Sequence, residues 1–141
     1  PSGVYAITAS TPQRMVLPGK WESLQHFDRS GSWVALMKDE AGIIRPDGST
    51  ASIKGVESVV TVSPDGKSLL LNKTGAGTAI YSSDGSLLAS LSDKPLKQAF
   101  FTPDSQKAYL TIDYNLYTAS APDWKVQQIP EGTTILGWVG F

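Results

Sequence analysis

The sequence predicts an all-β fold built of repeated antiparallel units, and three observations predict it. The first is a hairpin pattern that occurs three times, fully in Val59 to Asn72 and in variant form in Leu24 to Met37 and Phe100 to Thr111. The second is a shorter turn pattern that follows each copy: Arg45-Pro46-Asp47-Gly48-Ser49, Ser82-Ser83-Asp84-Gly85-Ser86 and Ala121-Pro122-Asp123-Trp124. The third is spacing, since Gly31 and Gly66 lie 35 residues apart and Phe27, Val62 and Phe101 recur at intervals of 35 and 39. Two hairpins per unit give four short strands every roughly 35 to 40 residues. That is the period of β-propeller blades, and leucine-rich or helical repeats have other periods.

In chain order, residues 1–17 read as a partial blade, because Val4 to Leu17 resembles the second hairpin of a unit. Full four-stranded blades are expected at 21–54, 56–91 and 97–129, and a final strand at 134–141. In the central hairpin Pro64 presets φ for the first turn position, Asp65 and Gly66 suit a φ > 0 corner, and the flanking Val and Leu favour strand. A helix over Leu87 to Phe101 is interrupted by Pro95 and by Ser and Asp where apolar residues are needed, so almost no helix is expected. The expected core is Phe27, Val34, Val60, Val62, Leu69, Leu71, Phe100 and Tyr109, each contributing about 1.5 to 3 kcal/mol on burial. The chain is expected to begin and end in mid-blade. Either its two ends share one blade and close a ring of four, or it is an arc of a larger ring. Open edge strands make self-association a further expectation.

Composition narrows the function classes. Twelve Lys and Arg against 13 Asp and Glu give a net charge of −1, with the basic residues scattered, so neither nucleic acid nor an anionic membrane surface is an expected partner. No apolar window is long enough for a membrane span, so no direct membrane insertion is expected. The absence of Cys excludes disulfides, thiolate metal sites and a cysteine nucleophile, and leaves the compartment open.

Ser63-Pro64-Asp65-Gly66-Lys67 followed by Leu69 to Leu71, with Thr102-Pro103-Asp104 as a weaker copy, resembles the hairpin of WD40-like propeller repeats of the TolB type, also found in peptidase-associated propellers. The resemblance covers roughly residues 21 to 130. The first copy carries Arg29 in place of the Pro and the third carries Ser105 in place of the Gly, so only the central blade matches fully. The resemblance implies blade architecture with the first strand innermost. It says little of function, because such repeats serve binding proteins, sensor ectodomains and accessory domains of enzymes.

The candidates for chemistry are few. His26, the single histidine, directly precedes Phe27 in a strand, and no Gly-x-Ser-x-Gly elbow occurs, so a structural histidine is expected. Asp47-Gly48, Asp65-Gly66 and Asp84-Gly85 lack the alternating oxygen ligands of a calcium loop and are read as turns. Gly75 and Gly77 form no phosphate cradle, because no helix with Lys-Ser or Lys-Thr follows. Asp39-Glu40 are adjacent carboxylates on a connecting loop, and no catalytic residue, metal or cofactor is expected.

Aromatic residues supply the candidate binding site. Trp21, Trp138 and Tyr114 fall at or near loops that topology places on one face. A patch of Trp21, Tyr114 and Asn115 bordered by Asp39, Glu40 and Asp113 is the expected binding surface, since Tyr and Trp are large anchors of low entropy cost. The competing reading is that Trp21 and Trp138 plug the seams between blades. The expected function is a non-catalytic module for recognition of a protein or peptide partner, or scaffolding, in an extracytoplasmic assembly at the periplasm or cell surface. Alternatives are an accessory propeller domain of a peptidase-like enzyme and a ligand-sensing ectodomain of a membrane-anchored regulator.

Overall fold

A computed structural model describes residues 2–7 and 13–130; the expected strand at 134–141, with Trp138, lies outside them. Among the described residues there are fourteen strands and no helix. β1 (Gly3–Ala6) and β2 (Arg14–Pro18) form a two-stranded hairpin. Three four-stranded sheets follow. The first contains β3 (Ser23–Phe27), β4 (Ser32–Met37), β5 (Glu40–Ile44) and β6 (Thr50–Lys54). The second contains β7 (Val56–Val62), β8 (Ser68–Lys73), β9 (Gly77–Ser82) and β10 (Leu87–Ser92). The third contains β11 (Gln98–Phe101), β12 (Lys107–Ile112), β13 (Asn115–Ser120) and β14 (Lys125–Gln128). Every sheet is an antiparallel meander in which consecutive strands are neighbours.

The sheets stack through three apolar clusters. Leu69 and Leu71 of β8 pack with Val34, Ile43 and Val62 toward the first sheet, while Leu70 packs with Phe101, Leu110 and Trp124 toward the third. Successive strand residues point to opposite faces, so three consecutive leucines can all be buried, each at 0% exposure, only because both faces of the central sheet are covered. Leu17, Ala35 and Ile44, with Val4, Val16 and Trp21, join the β1–β2 hairpin to the first sheet. The stack is linear among the described residues: hairpin, then first, second and third sheets, which do not close on one another.

Four of the expected core residues, Val34, Val62, Leu69 and Leu71, are buried, and Phe27 and Val60 are half-buried against the clusters. Phe100 and Tyr109 need correction. They face each other across β11 and β12 and are only half-buried, while their neighbours Phe101, Ala108 and Leu110 fill the core. A strand has period two, so an error of one residue in parity selects the wrong face.

The repeated turns share one construction. In the second sheet the Gly66 N–H donates to the Ser63 carbonyl at 2.8 Å, and Gly66 sits at φ 74°. Asp65 does not take the left-handed position. Its carboxylate instead accepts from the Ser63 hydroxyl at 2.6 Å and the Lys67 N–H at 2.9 Å. In the third sheet Ser105 occupies the left-handed position at φ 63°, and its hydroxyl accepts the Asp65 N–H at 3.0 Å, tying the two turns together. A serine there gives up backbone ease for a bond between sheets.

These turns make the fold acid-sensitive. The Ser49, Ser86 and Thr102 side chains hold the carboxyls of Asp47, Asp84 and Asp104 below their ordinary 3.8, and Lys94 does the same to Asp113. A folded-state pKa below the unfolded value adds stability that is present above about pH 3.8 and lost as pH falls through the folded value. The melting temperature is therefore expected to stay level from about pH 7 to about pH 5 and to fall below about pH 4. Replacing the four aspartates by Asn should flatten that acid limb; an unchanged limb would contradict the assignment.

Candidate functional site

One end of the stack is built from the β4–β5, β8–β9 and β12–β13 turns and from the connectors that lead from one sheet to the next. Meander topology places them together, because alternate turns of an antiparallel sheet fall at the same end. All six residues expected at the binding surface lie at this end, but the structure divides them among three seams.

Trp21 lies in the first seam, half-buried, its indole N–H donating to the Pro18 carbonyl at 3.0 Å. It packs over Gly42, where a Cβ would stand 2.9 Å from the ring. This is the geometry of a plug that seals the hairpin onto the first sheet.

Asp39 and Glu40 belong to the β4–β5 turn. Asp39, at φ 62°, accepts the Thr74 hydroxyl at 2.7 Å, and its carbonyl accepts the Gly55 N–H at 2.6 Å. The Gly55 carbonyl in turn accepts the Thr74 N–H at 2.9 Å. The β4–β5 turn, the connector and the β8–β9 turn are thus joined. Glu40 is buried and paired with Lys54, its partner across β5 and β6. It therefore neutralises a lysine within its own sheet.

Asp113, Tyr114 and Asn115 stand together at the β12–β13 turn. Asp113 (φ 53°) and Tyr114 (φ 69°) are consecutive left-handed residues, the pattern of a type I′ turn, where Asn-Gly is the usual choice. A bulky side chain at such a position costs on the order of 1 to 2 kcal/mol. The Tyr114 ring gains nothing back from packing, since the residue is 93% exposed. Asp113 pairs with Lys94 of the preceding connector at 2.8 Å, and Asn115 Nδ2 donates to the Asp113 carbonyl at 3.3 Å. Lys94 is raised above its ordinary value by that hydrogen bond.

Asn72, Thr78 and Leu96 hold the seam between the second and third sheets and escaped the sequence reading. The Asn72 amide treats Leu96 as a strand neighbour would: Oδ1 accepts the Leu96 N–H at 2.8 Å and Nδ2 donates to the Leu96 carbonyl at 3.3 Å. The Thr78 hydroxyl lies 3.0 Å from Asn72 Oδ1 and 2.8 Å from the Lys94 carbonyl. The available signal was a polar residue ending a fully apolar run, Leu69-Leu70-Leu71-Asn72.

Away from this end, His26 stacks on Trp33 with ring centroids 4.3 Å apart, and its Nδ1 lies 2.8 Å from an Asp28 carboxylate oxygen. Arg45 spends its guanidinium on the Ser49 hydroxyl and the Ser83 and Thr50 carbonyls, stapling the first sheet to the second. No group of three His, Asp or Glu residues among the described residues is arranged to hold a metal ion.

Three solved structures share this arrangement at low sequence identity. Hsv2 from Kluyveromyces lactis superposes with a TM-score of 0.54 at 14% identity, over 69% of this chain and 36% of that one. A TolB-assigned protein from Agrobacterium tumefaciens gives 0.51 at 12% identity, over 86% and 50%. Hsv2 from Kluyveromyces marxianus gives 0.51 at 14% identity, over 79% and 38%. The described residues form β-propeller blades whose sheets do not close on one another. The four-stranded sheets are the blades, and the β1–β2 hairpin has the form of a half-blade. The chain spans between about a third and a half of the length of these three propellers. No family model matches the chain, and no curated protein matches it.

Proposed function

We propose that this propeller chain is a non-catalytic recognition module that binds a protein or peptide partner through the connector end of its blades. The observation that carries the reading is Tyr114, held at φ 69° with 93% of its surface exposed. A left-handed, solvent-facing tyrosine is a poor choice for folding, and strain of this kind is retained where the side chain serves another purpose. Tyrosine is also a common interface anchor. The Asp113–Lys94 pair beside it would supply the polar rim. Trp21, Glu40 and Asp39 support the platform under this reading, since each is engaged within the blades.

An extracytoplasmic assembly is the setting we propose, and what supports it is the likeness to TolB-type repeats. Tyr114→Ala is the test. Its melting temperature should equal that of the parent, because the exposed ring loses no packing and alanine keeps the Cβ that sets the left-handed cost. Capture of the partner by the immobilised chain should fall at least about tenfold if Tyr114 is a hot spot. Undiminished capture, with Trp21→Ala reducing it instead, would move the site to the first seam.

A further inference from the structure

The end of the stack opposite the connectors is formed by the β3–β4, β7–β8 and β11–β12 turns. Each of the three four-stranded sheets contributes to one pocket of about 290 Å³ beside those turns. Arg29 comes from the turn of the first sheet, Thr61, Val62 and Pro64 from the second sheet and its turn, and Phe100 and Phe101 from the third. Its walls are mostly apolar, with a cation and a hydroxyl among them.

Arg29 is where the first copy of the turn departs from the other two. Pro64 and Pro103 hold the corresponding position, where proline presets the turn dihedral, and arginine gives that advantage up. The Arg29 side chain is exposed and forms no hydrogen bond or ion pair among the described residues. The adjacent Asp28 carboxylate lies 2.8 Å from His26 Nδ1 instead. Thr61 is set at the pocket by a β-bulge. On β7, Val59 pairs with Leu71 and Thr61 with Leu70, so Val60 is an extra residue. Val59 and Val62 therefore both pack toward the first sheet, although a regular strand of period two would send them to opposite faces. Bulges re-aim side chains in this way beside binding and active sites. The Thr61 hydroxyl is half-buried and makes no hydrogen bond among the described residues.

We propose that this pocket binds a carboxylate carried on a short apolar stem, supplied as a small free acid or as the C-terminal residue of a peptide. Three features select that ligand. The guanidinium fork of Arg29 matches a carboxylate with two parallel hydrogen bonds, and the Thr61 hydroxyl is a further donor. Val62, Phe100 and Phe101 take the stem. The volume falls just below the roughly 300 to 1,000 Å³ of sites for drug-sized ligands, which suits a stem the size of one side chain. Charge sets the carboxylate apart from a phosphate. One guanidinium balances one negative charge, whereas a phosphate monoester carries about 1.5 to 2 at pH 7 and would leave the excess against apolar walls. The site lies at the opposite end of the stack from Tyr114 and does not depend on the function proposed above.

The test uses the whole 141-residue chain with isocaproate, its neutral counterpart isocaproamide, and isoamyl phosphate. A second pair is acetyl-glycyl-glycyl-leucine and its C-terminal amide. Binding is read by amide chemical shifts, which are expected at Arg29, Thr61 and Phe100 with both carboxylates. Each carboxylate should bind at least about tenfold more tightly than its amide, and isocaproate more tightly than the phosphate. Whichever of isocaproate and the tripeptide binds more tightly names the source of the carboxylate. Arg29→Gln should remove the preference for carboxylate over amide without lowering the melting temperature, since the guanidinium has no partner to lose. No shifts at these residues at millimolar ligand, equal affinity for acid and amide, a preference for the phosphate, or an undiminished preference for carboxylate in Arg29→Gln would each overturn the inference.

Discussion

Gly77→Ala is expected to destabilise the fold by about 3 to 5 kcal/mol, the sum of left-handed strain and overpacking against backbone. Gly77 opens β9 at φ 80°, where a Cβ would overlap the Ser92 carbonyl oxygen and lie 2.6 Å from the Asp93 carbonyl carbon. Both obstacles are main chain, at the place where β10 leaves the sheet, so no side-chain rotation can relieve them. Gly75 is the built-in control. It sits at φ 68° with nothing within 4 Å of the point where a methyl group would stand, so Gly75→Ala should cost only about 1 kcal/mol. Urea denaturation of both variants checks this through the shift in midpoint at constant slope. Equal losses would mean that β10 can move away from β9, and that the close approach is not fixed by the blade.

Asn72→Leu is expected to cost about 2 to 5 kcal/mol, even though it adds apolar volume to an apolar strand. The variant removes both bonds to the Leu96 backbone and leaves a buried N–H and carbonyl without partners. Each such group costs roughly 1 to 3 kcal/mol. Hydrogen exchange gives a local readout: the Leu96 amide should be protected in the parent and among the first to exchange in the variant in the seam between the second and third sheets. Unchanged protection with unchanged stability would show that Leu96 finds water or another partner. The comparison separates a missing hydrogen bond from a general loss of packing, because Leu70 and Leu110 keep their contacts.

The end of the stack proposed for binding was legible only in part. Sequence topology put Trp21, Asp39, Glu40, Asp113, Tyr114 and Asn115 at one end, and their places in the turns and connectors do lie there. It could not separate a residue that holds the blades from one that faces solvent. Trp21 and Tyr114 are both aromatic and both in loops, yet one donates to Pro18 within a seam and the other packs on nothing. That difference depends on what the neighbouring sheet brings to the seam, which local pattern does not encode.

By itself the sequence determined the repeat, the strand count per unit and the turns. Those are set locally, by proline and glycine dihedral preferences, by Asp and Ser side chains that bond the nearest backbone, and by β-branched and leucine runs. Tertiary structure alone decided which face of each strand is buried, as the exchange of Phe100 for Phe101 shows. It also decided that all three of Leu69, Leu70 and Leu71 are core, and that Asn72 serves as a strand surrogate for Leu96. The physical reason is that burial belongs to pairs of surfaces. A blade encodes its own hydrogen bonds, while its neighbour decides which of its side chains leave water.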